Sequence, residues 1–205
     1  MVVDEHSKSF HVTQAQLNKG HSLKQLIRKN MQTVANAARD AVFEPLTIAN
    51  YGAAALDVTA AAFVPGDLQS VWATCKDFPT KNLLIDGAYY SKLLPTNAES
   101  FLPGSTGAYG WDSIAMNNRW SGVDDVIGFA GSTDSLVIAS GEPVMDSGLE
   151  NLLDDYMEVP LDGGLSVYVA SWVSLATRTR WMSIGLMLGA AKGDVTAGKL
   201  ITDGV

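Results

Sequence analysis

At 205 residues, with 47% hydrophobic residues and a formal net charge of −8, the chain can hold one large domain or two small ones around a real core. The acidic balance and the lack of any Lys/Arg-rich run argue against a high-affinity nucleic-acid binder, since such binding depends on cations displacing counterions from phosphates. The longest uncharged apolar run, Trp181 to Ala191, has 11 residues, short of the about 20 that a bilayer helix needs. The single cysteine, Cys75, can form no intrachain disulfide and fits a reducing cytoplasm.

In chain order, MVVDEHSKSFHV is charged, lacks the apolar stretch of a secretory signal, and leads into a short extended piece, FHVTQ. Ser22 to Glu44 then reads as one long helix. Leu23, Leu26, Ile27, Met31, Val34, Ala38 and Val42 recur at spacings of three and four. Ser22 and Gln25 form a capping-box pair at its start, and Pro45 ends it by removing a donor and clashing with the preceding turn. Residues 46–66 read as irregular or short-helical connection, broken at Gly52 and Pro65-Gly66.

Asp67 is placed to cap a second, short helix whose apolar positions are Leu68, Val71, Trp72 and Cys75. Asn82 to Ile85 follows as a short buried strand, and Gly87 to Leu94 as a helical turn or two closed by Pro95. Residues 96–125, rich in Gly, Ser, Asn and Asp, predict loops and short strands, and VIGFAG and SLVIASGEPV two further strands. In LSVYVASWV, Leu165, Val167, Val169 and Val173 point one way and Tyr168, Ala170 and Trp172 the other. In WMSIGLML, Met182, Ile184, Leu186 and Leu188 oppose Trp181, Ser183, Gly185 and Met187. Both strands are therefore apolar on two faces, one face suited to the long helix; GDVTAGKLI supplies a last strand.

No catalytic constellation emerges from these residues. His6, His11 and His21 all lie in the first 21 residues, at spacings that match no standard zinc site, and no G-x-S-x-G elbow is present. Cys75 sits in an amphipathic run and reads as core. GSTGAYG and GFAGSTDS lack the spacing of phosphate-binding loops and read as turns. Asp124-Asp125 and Asp154-Asp155, with Glu150 and Glu158, are the one acidic grouping that could serve a hydrolase or carbohydrate-active enzyme. That chemistry needs two carboxylates facing each other across a pocket; the plainer expectation is a solvated acidic face. Metal, cofactor and catalytic residues are accordingly expected to be none. Aromatics in loop-rich sequence are typical of subunit contacts, and Tyr51, Phe101, Tyr109, Trp111 and Trp120 are the contact candidates.

The order FHVTQ strand, long helix ending at Pro45, short helix around Trp72, NLLIDGAYYSKLL, a Gly-rich section GAYGWDSIAMNNRW with VIGFAGSTDSLVIASGEP, and a closing pair of long strands resembles the major capsid proteins of tailed bacteriophages. Encapsulin shells and herpesvirus capsid floors share that fold. The resemblance covers about residues 10–202 and rests on element order rather than an invariant motif. It implies an α+β fold in which a long spine helix packs on a peripheral-domain sheet, beside a mixed α/β axial domain. The implied division is a residual N-terminal segment (1–21), spine helix and connection (22–66), axial-type domain (67–160) and closing peripheral strands (161–205).

The family carries an N-terminal arm and an extended hairpin loop before the spine helix, and about 20 residues precede Ser22 here, so lacing by the arm is not carried over. The resemblance further implies a non-enzymatic shell protein that self-assembles into hexamers and pentamers of an icosahedral head around non-specifically held DNA. Scaffold, portal or decoration proteins would be its partners, with no membrane, and the virion, assembled in the host cytoplasm, its location. The alternatives are the acidic-pair hydrolase and an encapsulin-like nanocompartment.

Overall fold

The computed structural model describes residues 2–12, 23–94, 110–120, 122–141, 153–160, 165–174, 176–177 and 179–204. Two compact units form, each from two stretches of chain: Met1–Val42 with Ile138–Ala190, and Phe43–Val137 with Ala191–Val205. The chain thus leaves the first unit at the end of the long helix and returns to it by a strand. Residues 43–66, grouped with the helix in the sequence-based division, belong to the second unit.

The first unit is a helix on an antiparallel sheet. Strands β1 (Asp4–Val12), β9 (Thr179–Lys192), β8 (Ser166–Ser174) and β7 (Asp155–Pro160) lie in the order β1-β9-β8-β7, and β6 (Leu136–Gly141) also pairs with β9. Helix α1 (Leu23–Phe43) ends just before Pro45, as the lost donor there requires. Ser22, the predicted cap, lies outside the described residues. Val34 and Ala38 pack on Val167, Ile184, Leu186 and Leu188, with Ile27, Ala41, Val42, Phe10 and Val169 around them. The alternation read in both long strands therefore does deliver Val167, Ile184, Leu186 and Leu188 to the helix.

Among the described residues, two members of the apolar sets predicted for this unit are exposed. Met31 is 43% exposed and Val173 46% exposed. On a helix turning 100° per residue, Met31 lies off the Ile27–Val34–Ala38 line, on the flank shared with Arg28 and Ala35. Val173 pairs with Arg180 at the end of the β8–β9 ladder.

The opposite sheet face is aromatic. Trp172 and Trp181, directly paired across the ladder, stack at 6.3 Å and 11°, and His11 tilts onto Trp181 at 4.8 Å. Tyr156 stacks on Tyr168 at 6.3 Å, and the Tyr168 hydroxyl donates to the Glu5 carboxylate, joining β8 to β1 across β9. Gly185 lies under that bridge. A Cβ there would sit 2.5 Å from the Tyr168 hydroxyl and 2.8 Å from Ser7, so only glycine lets the ring cross.

The second unit is a mixed sheet in the order β2-β10-β5-β3-β4: β2 (Leu56–Asp57), β10 (Gly198–Thr202), β5 (Val126–Gly131), β3 (Asn82–Ile85) and β4 (Ser113–Met116). The pairs β10–β5 and β3–β5 are antiparallel; β3–β4 and β2–β10 are parallel. One core gathers Leu68, Val71 and Cys75 from helix α3 (Asp67–Thr74) and its end with Phe63, Leu83, Ile85, Trp111, Ala130 and Ile201. The other gathers Leu46, Tyr51, Val126, Phe129 and Leu200. With two cores on it, β5 is almost wholly buried, which explains why VIGFAG is continuously apolar or small instead of alternating.

The cap predicted at Asp67 falls one residue out of place, and two caps that the sequence reading did not name appear elsewhere. Asp67 is the first residue of α3 rather than its cap, and its carboxylate accepts from the Val64 N–H at 2.9 Å. Asp86 caps α4 (Gly87–Tyr90) by accepting from Ala88 N–H, as a β-conformation residue at that position can. Helix α2 (Ile48–Tyr51) receives no cap from Thr47; instead Asp124, from a distant turn, accepts the Ile48 N–H at 2.7 Å.

Candidate functional site

The acidic pairs form no site. Asp124 and Asp125 occupy consecutive left-handed backbone positions, φ 56° and 49°, in an exposed turn where Asp124 serves as the α2 cap. Asp154, Asp155 and Glu158 are all exposed, the latter two on β7, and Glu150 lies outside the described residues. Adjacent strand residues point to opposite faces, so Asp155 and Glu158 share no face and no pocket wall. Among the described residues no group of three His, Cys, Asp or Glu side chains could hold a metal ion. The hydrolase alternative is therefore not favoured by the geometry.

The nucleophile candidates are equally placed for structure. Cys75 is fully buried, and burial is the main influence raising its thiol pKa, the opposite of an activated thiolate. His6 and His11 lie on β1 and His21 lies outside the described residues. Tyr89 has its hydroxyl 2.7 Å from the Asp203 carboxylate and 2.9 Å from the Val58 carbonyl. Burial and then the Asp203 hydrogen bond hold this phenol protonated well above its ordinary range. It ties the α4 segment to the strand end after β10.

Of the five predicted contact aromatics, three are described. Trp111 is 1% exposed, inside the first core of its unit, and among the described residues its Nε1 has no hydrogen-bond partner. Tyr51 is 6% exposed, stands edge-on to Phe129 at 5.0 Å and donates to the Ser135 carbonyl at 2.6 Å. Trp120 is half-buried: its ring tilts on Phe43 at 5.3 Å and Nε1 donates to the Asn117 carbonyl at 3.0 Å. Phe101 and Tyr109 lie outside the described residues. Trp72 is exposed, with its Nε1 donating to the Gly110 carbonyl and Lys81 5.8 Å over the ring.

The surfaces that remain are two parts of the first unit that periodicity did not single out. One is β7, exposed at all six residues with an unpaired outer edge among the described residues. The other is a cavity of about 270 Å³ beside α1. The signal for β7 was present in DYMEVP, where Tyr156, Met157 and Val159 stand among acids, but no face of it is apolar enough to read as a buried strand. A second hollow, about 220 Å³, lies on the second unit's sheet near Ser132 and Ser135.

No protein-family model matches this sequence, and no curated protein matches it. Solved structures do. A virus-like particle from Pyrococcus furiosus superposes at TM-score 0.61 with 14% identity, covering 97% of this chain and 76% of that one. The capsid of the cyanophage P-SCSP1u gives 0.59 at 12% identity over 98% and 72%, and the capsid of an empty GTA particle 0.59 at 12% over 99% and 74%. The chain has the fold of phage and virus-like-particle capsid proteins. At such identities the likeness is one of fold, and the sequence-based expectation of a capsid-type α+β architecture holds.

Proposed function

We propose that the chain is a structural shell protein, a major capsid protein that assembles through its subunit edges into hexamers and pentamers and then a closed icosahedral shell around DNA. The observation that carries this reading is the reach of the structural match. Nearly the whole chain superposes on proteins of capsids and a virus-like particle, with no inserted domain left over for another task. The solvent-facing acids and the buried Cys75 agree with a protein whose biology lies on its surface.

In this reading the helix-on-sheet unit is the peripheral domain, with α1 as its spine, and the two-core unit is the axial domain around the ring centre. Trp120, half-exposed, is a subunit-contact residue; Tyr51 and Trp111 act by holding the axial cores in shape. Closed symmetry lets many weak identical contacts add, so modest interfaces suffice. Net charge −8 keeps packaged DNA loosely held, and scaffold, portal or decoration proteins dock on the assembled surface in the virion. Sedimentation and electron microscopy of the purified chain test this: rings or closed shells are expected, and a chain that stays monomeric across salt and crowding conditions refutes it.

A further inference from the structure

The first unit is electrically two-sided. Helix α1 carries Lys24, Arg28, Lys29 and Arg39 against one acid, Asp40, a net of +3 in a chain of net −8, so the rest of the chain carries −11. On the helical period Arg28, Lys29 and Arg39, with Gln25, Gln32 and Asn36, fall on the half of the helix turned away from the buried Val34–Ala38 line, and Lys24 borders it. All four cations are exposed, and among the described residues none of them makes an ion pair.

The sheet beneath repeats the polarity. Strand alternation and ladder register put Asp4, Lys8, Asp155 and Arg180 on the face that holds α1, two acids and two bases, so that side keeps the +3 of the helix. The opposite face carries Glu5 and Glu158 and, among the described strand residues of the unit, no Lys or Arg. An acidic chain has thus gathered cations on one side of one unit. A surface built for solubility alone intersperses the two signs.

We infer that this exposed side of α1 docks on the phosphate backbone of duplex DNA, as the face of the subunit turned toward the packaged genome. The inference rests on the shell reading and names the surface by which the shell meets its contents. The chemistry of the face selects the partner. A protein interface has an apolar centre, and Met31, the one exposed large apolar residue of α1, lies on the other half of the helix. Phosphates ask only for cations and amide donors, which this half supplies. From Lys24 to Arg39 the cations span about 22 Å, enough to reach across the ~12 Å major groove from one strand's phosphates to the other's. Salt screens charge over about 8 Å at physiological ionic strength, so the acids on the far side of the sheet weigh little here. Each copy makes only a few phosphate contacts and binds weakly without regard to sequence, and the closed shell adds strength by repetition.

Fluorescence anisotropy of the purified full chain with short labelled duplexes of two unrelated sequences tests it, with assembly read separately by electron microscopy. The parent chain should bind both duplexes alike at low salt, log K falling against log salt with a slope of about −3. Arg28→Gln with Arg39→Gln should weaken binding on the order of tenfold or more and make the slope shallower by about 2. Both positions are exposed, so circular dichroism should match the parent. Arg28→Lys with Arg39→Lys keeps the charge and should bind like the parent. Lys76→Gln with Lys199→Gln, the same charge loss placed on the second unit, should change binding less than about twofold. A parent that assembles but binds no duplex, an Arg28→Gln/Arg39→Gln chain that binds like the parent, or equal losses from the two glutamine pairs overturns the inference and leaves the shell reading standing. An Arg28→Gln/Arg39→Gln chain that keeps DNA binding and no longer assembles hands the face to a protein partner and also overturns it. A parent that binds duplex through α1 and never assembles refutes the shell reading alone, and one that does neither overturns both.

Discussion

The packing of α1 on the sheet makes a quantitative prediction at Ile184. Its side chain is 0% exposed, sits on the central strand β9 and meets Val34 and Ala38 from the helix. Ile184→Ala removes three carbons, worth roughly 2.4 kcal/mol of transfer free energy at about 0.8 kcal/mol per methylene. A cavity term adds to this, because the neighbouring slot is already about 270 Å³ and the helix, held along its length by Ile27, Ala41 and Val42, cannot settle into the void. The expected cost is about 3–4 kcal/mol, a shift of more than a hundredfold in the unfolding equilibrium of that unit. Urea denaturation followed by the helical dichroism signal reads it, since α1 is 21 residues long and the other described α-helices are far shorter. Val173→Ala, on the same strand pair but 46% exposed, is the control and should cost under about 0.5 kcal/mol. Equal costs for the two, or less than about 1 kcal/mol for Ile184→Ala, would mean that the helix does not rest on β9 as described.

Other outcomes follow from single contacts. Gly185→Ala places a Cβ 2.5 Å from the Tyr168 hydroxyl and should cost about 1–3 kcal/mol in thermal melts, while Gly185→Ala with Tyr168→Phe should recover part of it. Tyr89→Phe removes a hydroxyl held by a carboxylate and should cost about 1.5–3 kcal/mol near neutral pH. Because the folded Tyr89 pKa is raised above its ordinary 10.0, its stabilisation is complete below pH 10 and falls as pH climbs through 10 toward the higher folded value. Denaturation midpoints taken from neutral to strongly alkaline pH should therefore fall less steeply in Tyr89→Phe than in the parent. Asp124→Ala loses the α2 cap while keeping a left-handed backbone and should cost about 1 kcal/mol or more. Asp124→Gly loses the same cap but relieves the φ of 56°, and should lie about 1 kcal/mol above Asp124→Ala in melts.

Much of this architecture was legible in local pattern. The long helix announced itself by spacing and by Pro45; NLLI and GKLI are short apolar runs between breakers, and the two late strands divide into two faces, both largely apolar. All of β7 and the part of β1 before FHV were hidden for a shared reason. An edge strand with solvent on much of its surface needs no apolar periodicity, so DEHSKSF and DYMEVP look like loop. The aromatics show the limit from the other side. Tyr51 and Trp111 sit outside long periodic elements, where sequence conveys residue type but not depth, and depth here is set by Phe129, Leu83 and Ile201 from distant strands. The two-stretch make-up of each unit was likewise invisible, since it depends on where β6 and β9 run and not on any change in composition.

The central claim is that surfaces, not a pocket, carry the function. A cryo-electron-microscopy reconstruction of whatever the purified chain forms tests it most directly. The account predicts a closed, symmetric shell whose subunits carry α1 intact and touch one another along their exposed edges. Isolated monomers under every condition, or only irregular aggregates without closed symmetry, would contradict it.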